Sequence, residues 1–279
     1  MKLTVVGCSG SFPSAESACS SYLVEADGFQ LLLDMGNGAL GELQRHTGLY
    51  DLDAVFLSHL HADHCIDMCA YFVARYYRHG DGPCDALPVY GPEGTQQRLI
   101  TAYGDSSAEH MPEVFDFRTL KEDAFDLGPF RIRTVRVPHP VEAYAIRVEH
   151  DGRSLTYSGD TGPCAELDAL AAGTDLYLCE AAFTHGKENI PDLHLNGREA
   201  GESAQRAGVG RCSSPTSRRG PTRAPTSPTP ARSTTARPHW PNPASRTRSE
   251  ATPPEGRPPG NHLAAAPVLP LRSRPWASP

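Results

Sequence analysis

Ser58-His59-Leu60-His61-Ala62-Asp63-His64 follows directly on the apolar run Ala54-Val55-Phe56-Leu57. The run reads as a buried strand and Asp63 onward as a helix start, so three imidazoles and a carboxylate crowd one strand-to-helix loop. Open α/β sheets present ligand groups at such places. In so tight a loop, His59 and His61 can face one ion while Asp63 and His64 turn to a second. Imidazole and carboxylate together suit zinc, manganese or ferrous iron. The plainer alternative is a polar helix cap with solvated histidines, and the spacing favours the metal.

Working outward, Leu3-Thr4-Val5-Val6 reads as a strand ending in the turn Gly7-Cys8-Ser9-Gly10-Ser11. That turn lacks a phosphate-loop lysine and leads to Pro13, which argues against a nucleotide cradle. Asp27-Gly28 between Ser21–Glu25 and Gln30–Leu33 signals a hairpin, closed by Asp34. Helices are expected over Gly38–His46, over Asp63–His79 with Ile66, Ala70, Val73 and Tyr77 on one stripe, over Gly94–Tyr103, over Pro163–Ala171 and over Gly197–Ala207. Strands are expected at Pro88–Tyr90, Phe130–Val137, Ala143–Glu149, Ser154–Tyr157 and Leu176–Cys179. This alternation predicts two packed sheets with helices outside and the ion site at one sheet edge.

Composition divides the chain sharply. Residues 1–211 carry 16 Lys+Arg against 31 Asp+Glu, a net charge of −15. Residues 212–279 carry ten Arg, no Lys and two Glu, a net +8, with 16 of the 26 prolines and no Ile, Tyr or Phe. A stretch so poor in apolar residues cannot bury a core, so it is expected to be a disordered tail behind a domain of residues 1–211. The apolar run after Met1-Lys2 is too short for a signal peptide, and no run approaches membrane-spanning length. The expected compartment is the cytoplasm, with the eight cysteines as reduced thiols.

Two further groups stand at strand ends. His139 lies in Val137-Pro138-His139-Pro140, where flanking prolines fix the backbone. Asp160 lies in Ser158-Gly159-Asp160-Thr161, and its two oxygens could bridge two cations. With these, the chain resembles the metallo-β-lactamase superfamily, and within it the ribonuclease Z-like branch. The HxHxDH pattern at 59–64, His139 and Ser158–Thr161 carry the resemblance. So do Gly7–Ser11, Leu33-Asp34-Met35-Gly36, Cys179-Glu180-Ala181-Ala182-Phe183, and His194 ahead of a helix. The resemblance implies an α/β fold of the αββα sandwich type holding two metals, usually Zn2+, with Mn2+ or Fe2+ able to substitute. It implies that His59, His61 and His139 hold one metal, Asp63 and His64 the other, and that Asp160 bridges them. Asp34 would orient the metal loop. Two such cations would acidify a shared water and polarise a scissile group. The implied catalytic residues are Asp63, His194 as proton donor to the leaving oxygen, and Glu180 as its orienting partner.

The chain departs from that family at its end. The family carries one more histidine to the second metal, on a strand after the last helix, commonly within Leu-Thr-His-Ile-Pro-Pro-Trp. Here the sequence changes character after Gly208-Val209-Gly210-Arg211. One coding of Cys212 to Pro221 is TGC TCC TCA CCC ACA TCC CGC CGT GGA CCG, its synonymous bases chosen for the purpose. Read one base earlier, behind a C, it spells Leu-Leu-Leu-Thr-His-Ile-Pro-Pro-Trp-Thr. A frame-shifted tail is therefore expected, with the closing strand lost and the second metal weakened.

Rival activities divide on particular residues. His61 argues against the di-iron oxidoreductases, which carry Glu there. Thioester hydrolases of the glyoxalase II type share HxHxDH, and a catalytically impaired metal-binding remnant is the reading from another class. Glu180 and His194 tilt the expectation to phosphodiesters by resemblance. Typical ribonuclease Z inserts a long substrate-gripping arm where only 20 residues separate His139 from Asp160. A domain at −15 is also a poor counter-ion for polyphosphate. The expected substrate is a small or cyclic phosphodiester or RNA, with no membrane partner, and a homodimer is a compatible state.

Overall fold

Strand alternation sorts the chain into two sheets. The structure, a computed structural model, describes residues 1–78, 85–183, 190 and 192–214. The first sheet holds β1 (Lys2–Ser9), β2 (Ala18–Cys19), β3 (Ser21–Ala26), β4 (Phe29–Leu33), β5 (Ala54–Phe56), β6 (Leu87–Gly91) and β7 (Phe115–Thr119), in the order β2-β1-β3-β4-β5-β6-β7. The second holds β8 (Asp123–Leu127), β9 (Phe130–Val137), β10 (Ala143–His150), β11 (Arg153–Tyr157), β12 (Leu176–Leu178) and β13 (Cys212–Ser213), in the order β13-β12-β11-β10-β9-β8. The β3–β4 hairpin turns at Asp27 (φ 49°) and Gly28 (φ 81°), the backbone a two-residue hairpin with right-handed twist requires.

Period-two burial makes three cores. Tyr22, Leu31, Leu33 and Phe56 of the first sheet meet Phe130, Ile132, Ile146 and Leu155 of the second. The opposite side chains, Leu23, Leu32 and Val55, pack under the helices α1 (Ala39–Leu43), α2 (Ala62–Cys65), α3 (Asp67–Tyr76), α4 (Thr95–Tyr103) and α5 (Met111–Val114) through Leu43, Cys65, Met68, Leu99 and Met111. On the far face, α6 (Ala165–Ala171) and α7 (Gly197–Ala207) cover Ala145, Tyr177 and Cys179. Helix α7 starts on a capping box between Asn196 and Glu199 and buries Ala200, Ser203, Ala204 and Ala207, the spacing of one helical face. The layers are α-β-β-α, as expected. Among the described residues no helix is long and apolar enough to cross a membrane.

Three features differ from the expectations. The helix foreseen over Asp63–His79 is broken at Ile66 into α2 and α3. The Asp67 amide donates to the Met35 carbonyl (3.2 Å), and the Met35 amide donates to the His64 carbonyl (2.8 Å), so the loop after β4 takes over bonds of the helical ladder. The expected end at His79 lies outside the described residues. Strands β7 and β8 were not foreseen. Both are peripheral, with exposed Asp116 and Arg118 in β7 and exposed Asp123 and Asp126 in β8 among their apolar residues. The closing strand, expected to be lost, is present in its first two residues. The Cys179 amide donates to the Ser213 carbonyl (3.0 Å), backbone pairing that needs no particular side chain.

Gly36 makes the contact between loop and helix possible, since a Cβ there would collide with the Asp63 carbonyl. Gly36→Ala should cost roughly 1–3 kcal/mol of stability through overpacking. The readout is Tm of the metal-free protein, expected to fall about 2–4 °C per kcal/mol. An unchanged Tm would show that the loop gives way freely.

Candidate metal centre

Four chain segments converge at one end of the sandwich. The loop after β5 brings Ser58 to His61, α2 brings Asp63 and His64, the loop after β9 brings His139, and the loop after β11 brings Asp160. The ends of β12 and of the segment before α7 add Glu180 and His194. The ring centroids of His59 and His64 are 4.2 Å apart, and those of His59 and His139 are 4.8 Å apart. Ligand atoms of His59, His61 and His139 all lie within 4.8 Å of one another, as do those of His59, His64 and Asp160. Asp160 stands between the two groups, Oδ1 3.3 Å from His64 Nε2 and Oδ2 3.9 Å from His59 Nε2. Asp63 Oδ2 lies 3.7 Å from His64 Nε2. All six residues expected around the ions are thus brought together.

Hydrogen bonds say which ring atoms are free. His139 Nδ1 donates to the Leu193 carbonyl (2.9 Å), which in a neutral ring leaves a lone pair on Nε2. That Nε2 faces His61 Nδ1 at 3.1 Å. His64 Nδ1 donates to Asp34 Oδ2 (2.7 Å) and turns Nε2 toward Asp160. His59 Nε2 is buried without a hydrogen-bond partner, an arrangement that costs free energy unless something else binds it.

Electrostatics agree. Burial, reinforced by the neighbouring imidazoles, holds His59 well below the usual histidine range. Burial likewise lowers His61, and it brings His139 down to about 4. All three shifts favour the neutral ring, the state in which imidazole ligates. For His64, burial pulls down but the charges and hydrogen bonds of Asp160 and Asp34 outweigh it, holding the ring well above its ordinary value. Asp160 is the counterpart: burial raises it, and His64, His59 and His194 pull it below the usual carboxylate range. Three imidazoles on one side, with an imidazole and two carboxylates on the other, form a donor set that fits zinc.

Glu180 and His194 form a second pair at the rim. Glu180, 2 % exposed, accepts from the Thr161 amide (2.5 Å), and its Oε1 is 3.1 Å from His194 Nδ1. His194 Nδ1 is also 3.7 Å from Asp160 Oδ2. Burial lowers His194, but the Glu180 bond and the Glu180 and Asp160 charges prevail and its pKa is raised.

A family profile described as the beta-lactamase superfamily domain matches residues 30–213. The chain belongs to the metallo-β-lactamase superfamily. It is 44% identical over 215 residues to an uncharacterized protein of Mycobacterium leprae, covering 75% of each chain. It is 30% identical over 233 residues to the ribonuclease Z of Mycobacterium bovis, covering 75% of this chain and 83% of that one, which sets it in the ribonuclease Z-like branch. The crystal structure of YhfI, a metallo-β-lactamase fold protein from Bacillus subtilis, superposes with a TM-score of 0.68 at 28% identity over 78% of this chain and 87% of that one. As a superfamily member the chain is a metallo-hydrolase.

Sequence reading missed the supporting shell. Asp34 was foreseen as an orienting group, but Tyr157, whose hydroxyl donates to Asp34 Oδ2 (2.6 Å), and the Leu193 carbonyl were not. Both pairings are long-range, and only hydroxyl and carbonyl groups with no local signature make them. A cleft of about 770 Å³ opens at the opposite end of the second sheet, beside the turn Asp151-Gly152. Its arginines are paired there, Arg131 with Asp126, Arg147 with Glu149 and Arg153 with Asp175, so none of the three is free for an anionic ligand.

Proposed function

We propose that this metallo-hydrolase cleaves phosphodiester bonds in small or cyclic substrates. The observation that carries the reading is the Glu180–His194 pair beside Asp160. Zinc would be held by His59, His61 and His139 on one side and by Asp63 and His64 on the other, with Asp160 between. When bound, two such cations supply a water acidified toward neutrality and a polarised scissile group. Glu180 fixes the His194 ring through Nδ1, leaving Nε2–H as the donor to the leaving oxygen. The raised pKa of His194, set by the Glu180 bond and the Glu180 and Asp160 charges, favours the form that carries that proton. Asp63 lines the same space, 17% exposed and open to substrate.

Small substrates are favoured over RNA on two grounds. Between His139 and Asp160 the chain makes only the β10–β11 hairpin, with no arm to grip a polynucleotide. Residues 1–211 also carry a net −15, which repels a polyphosphate. The test is hydrolysis of bis(p-nitrophenyl) phosphate by the zinc-loaded protein, with lactoylglutathione in parallel. Turnover of the diester with inert thioester is expected. Turnover of the thioester alone would move the assignment to thioester hydrolysis.

A further inference from the structure

Ser58 opens the histidine loop and has no part in the reading above. It is fully buried, and its backbone is pinned on both sides: its amide donates to Asp34 Oδ1 (2.7 Å), and its carbonyl accepts from the Tyr144 amide (2.9 Å). Its hydroxyl oxygen lies 2.8 Å from Asp34 Oδ2 and 3.1 Å from His59 Nδ1. We propose that Ser58 is a positioning residue that carries the hold of Asp34 across to His59, so that one buried carboxylate fixes the Nδ1 proton of a ring in both halves of the centre.

The argument is a count of protons. An ionised carboxylate only accepts, and a hydroxyl has one proton to give. At 2.8 Å from Asp34 Oδ2, that proton forms a charge-assisted bond to the carboxylate, the stronger of the two on offer. The hydroxyl oxygen then meets His59 only as an acceptor, so the ring proton sits on Nδ1 and the lone pair on Nε2. Nε2 is the buried atom without a partner, aimed toward Asp160. The reverse arrangement would face the hydroxyl lone pairs against the carboxylate and bury an unpaired N–H at Nε2. Asp34 does the same to His64 directly, taking its Nδ1 proton at 2.7 Å. His59 lies in both candidate cation groups and His64 in the second, yet the Nδ1 proton of each traces to one side chain. The Asp34 backbone, at φ 59° in the left-handed region, is held there by this network.

The inference rests on the metal-binding part of the proposed function and not on its substrate. Its test is therefore read first without metal. In zinc-free protein carrying isotopically labelled histidines, nitrogen-edited NMR should show His59 and His64 both protonated at Nδ1. In Ser58→Ala, His59 should lose its fixed Nδ1–H while His64 keeps its own, held directly by Asp34. The His64 signal thus reports that the pocket is still folded. Zinc affinity of the first site, by chelator competition, should fall about 10–100-fold. A His59 tautomer and affinity unchanged in Ser58→Ala would overturn the proposal. So would joint loss of the His59 and His64 signals, which would make Ser58 a general support of the pocket. If the wild-type protein binds no zinc, the proposed function fails, and the tautomers still judge Ser58.

Discussion

Replacing His194 with alanine should slow hydrolysis of an alkyl phosphodiester about 10²–10⁴-fold, the usual worth of a positioned general acid. The same variant should hydrolyse bis(p-nitrophenyl) phosphate nearly as fast as wild type. The difference lies in the leaving group. An alkoxide is a strong base and cannot depart unprotonated near neutral pH, whereas p-nitrophenolate can. As the proposed proton donor His194 would serve the first case only, with Nδ1 held by Glu180 at 3.1 Å. Its pH signature follows from the direction of its shift. A raised pKa keeps the imidazolium present below that pKa and loses it as pH rises through it. Turnover of the alkyl substrate should therefore fall on the alkaline side in wild type, and that limb should vanish with the p-nitrophenyl substrate. Equal losses on both substrates would assign His194 to holding the site together.

Where the chemistry lay close in sequence, it could be read directly. The crowding of His59, His61, Asp63 and His64 is a local fact that no fold is needed to see, and Asp27-Gly28 carries its turn in its own residue types. His139 and Asp160 were legible because each stands just past a strand signal, Phe130–Val137 and Ser154–Tyr157, the place where a sheet delivers a ligand. The β12 end and the residues before α7 were legible only through family likeness, since a lone Glu180 or His194 has no spacing to mark it.

The rest depended on contacts between distant segments. Periodicity missed the break at Ile66, where the Asp67 amide turns to Met35. It also chose the wrong face: the stripe Ile66, Ala70, Val73 and Tyr77 leaves Ala70 and Tyr77 exposed, while the helix buries Met68, Tyr71, Phe72 and Arg75. Ser58 and Tyr157 look like ordinary polar residues at strand ends. Only the closure of the sandwich shows that both hydroxyls reach Asp34, from opposite sheets. Strands β7 and β8 escaped because peripheral strands are under weak compositional pressure, one face or more being wet.

Restoring the other reading frame after Arg211 should tighten the second cation site by about 10–100-fold or more, leaving the first site unchanged. We infer this from the point at which the chain stops behaving like its relatives. The family match ends at residue 213, two residues into β13. There Cys212 and Ser213 are exposed beside the buried Tyr177 and Leu178 of β12. The alternative frame would write leucines at Cys212, Ser213 and Ser214, suited to a strand at the flank of this core, and a histidine where Thr216 now stands. Among the described residues the second site would offer a cation Asp63, His64 and Asp160, while the first would offer three imidazoles and share Asp160. A histidine supplied there would therefore add to one site and leave the other as it is. The measurement is chelator competition on both chains, counting zinc ions per protein. One tight zinc in the present chain and two in the restored one is the expected outcome. Two equally tight zinc ions in the present chain would refute it, as would a gene whose shifted frame contains no such histidine.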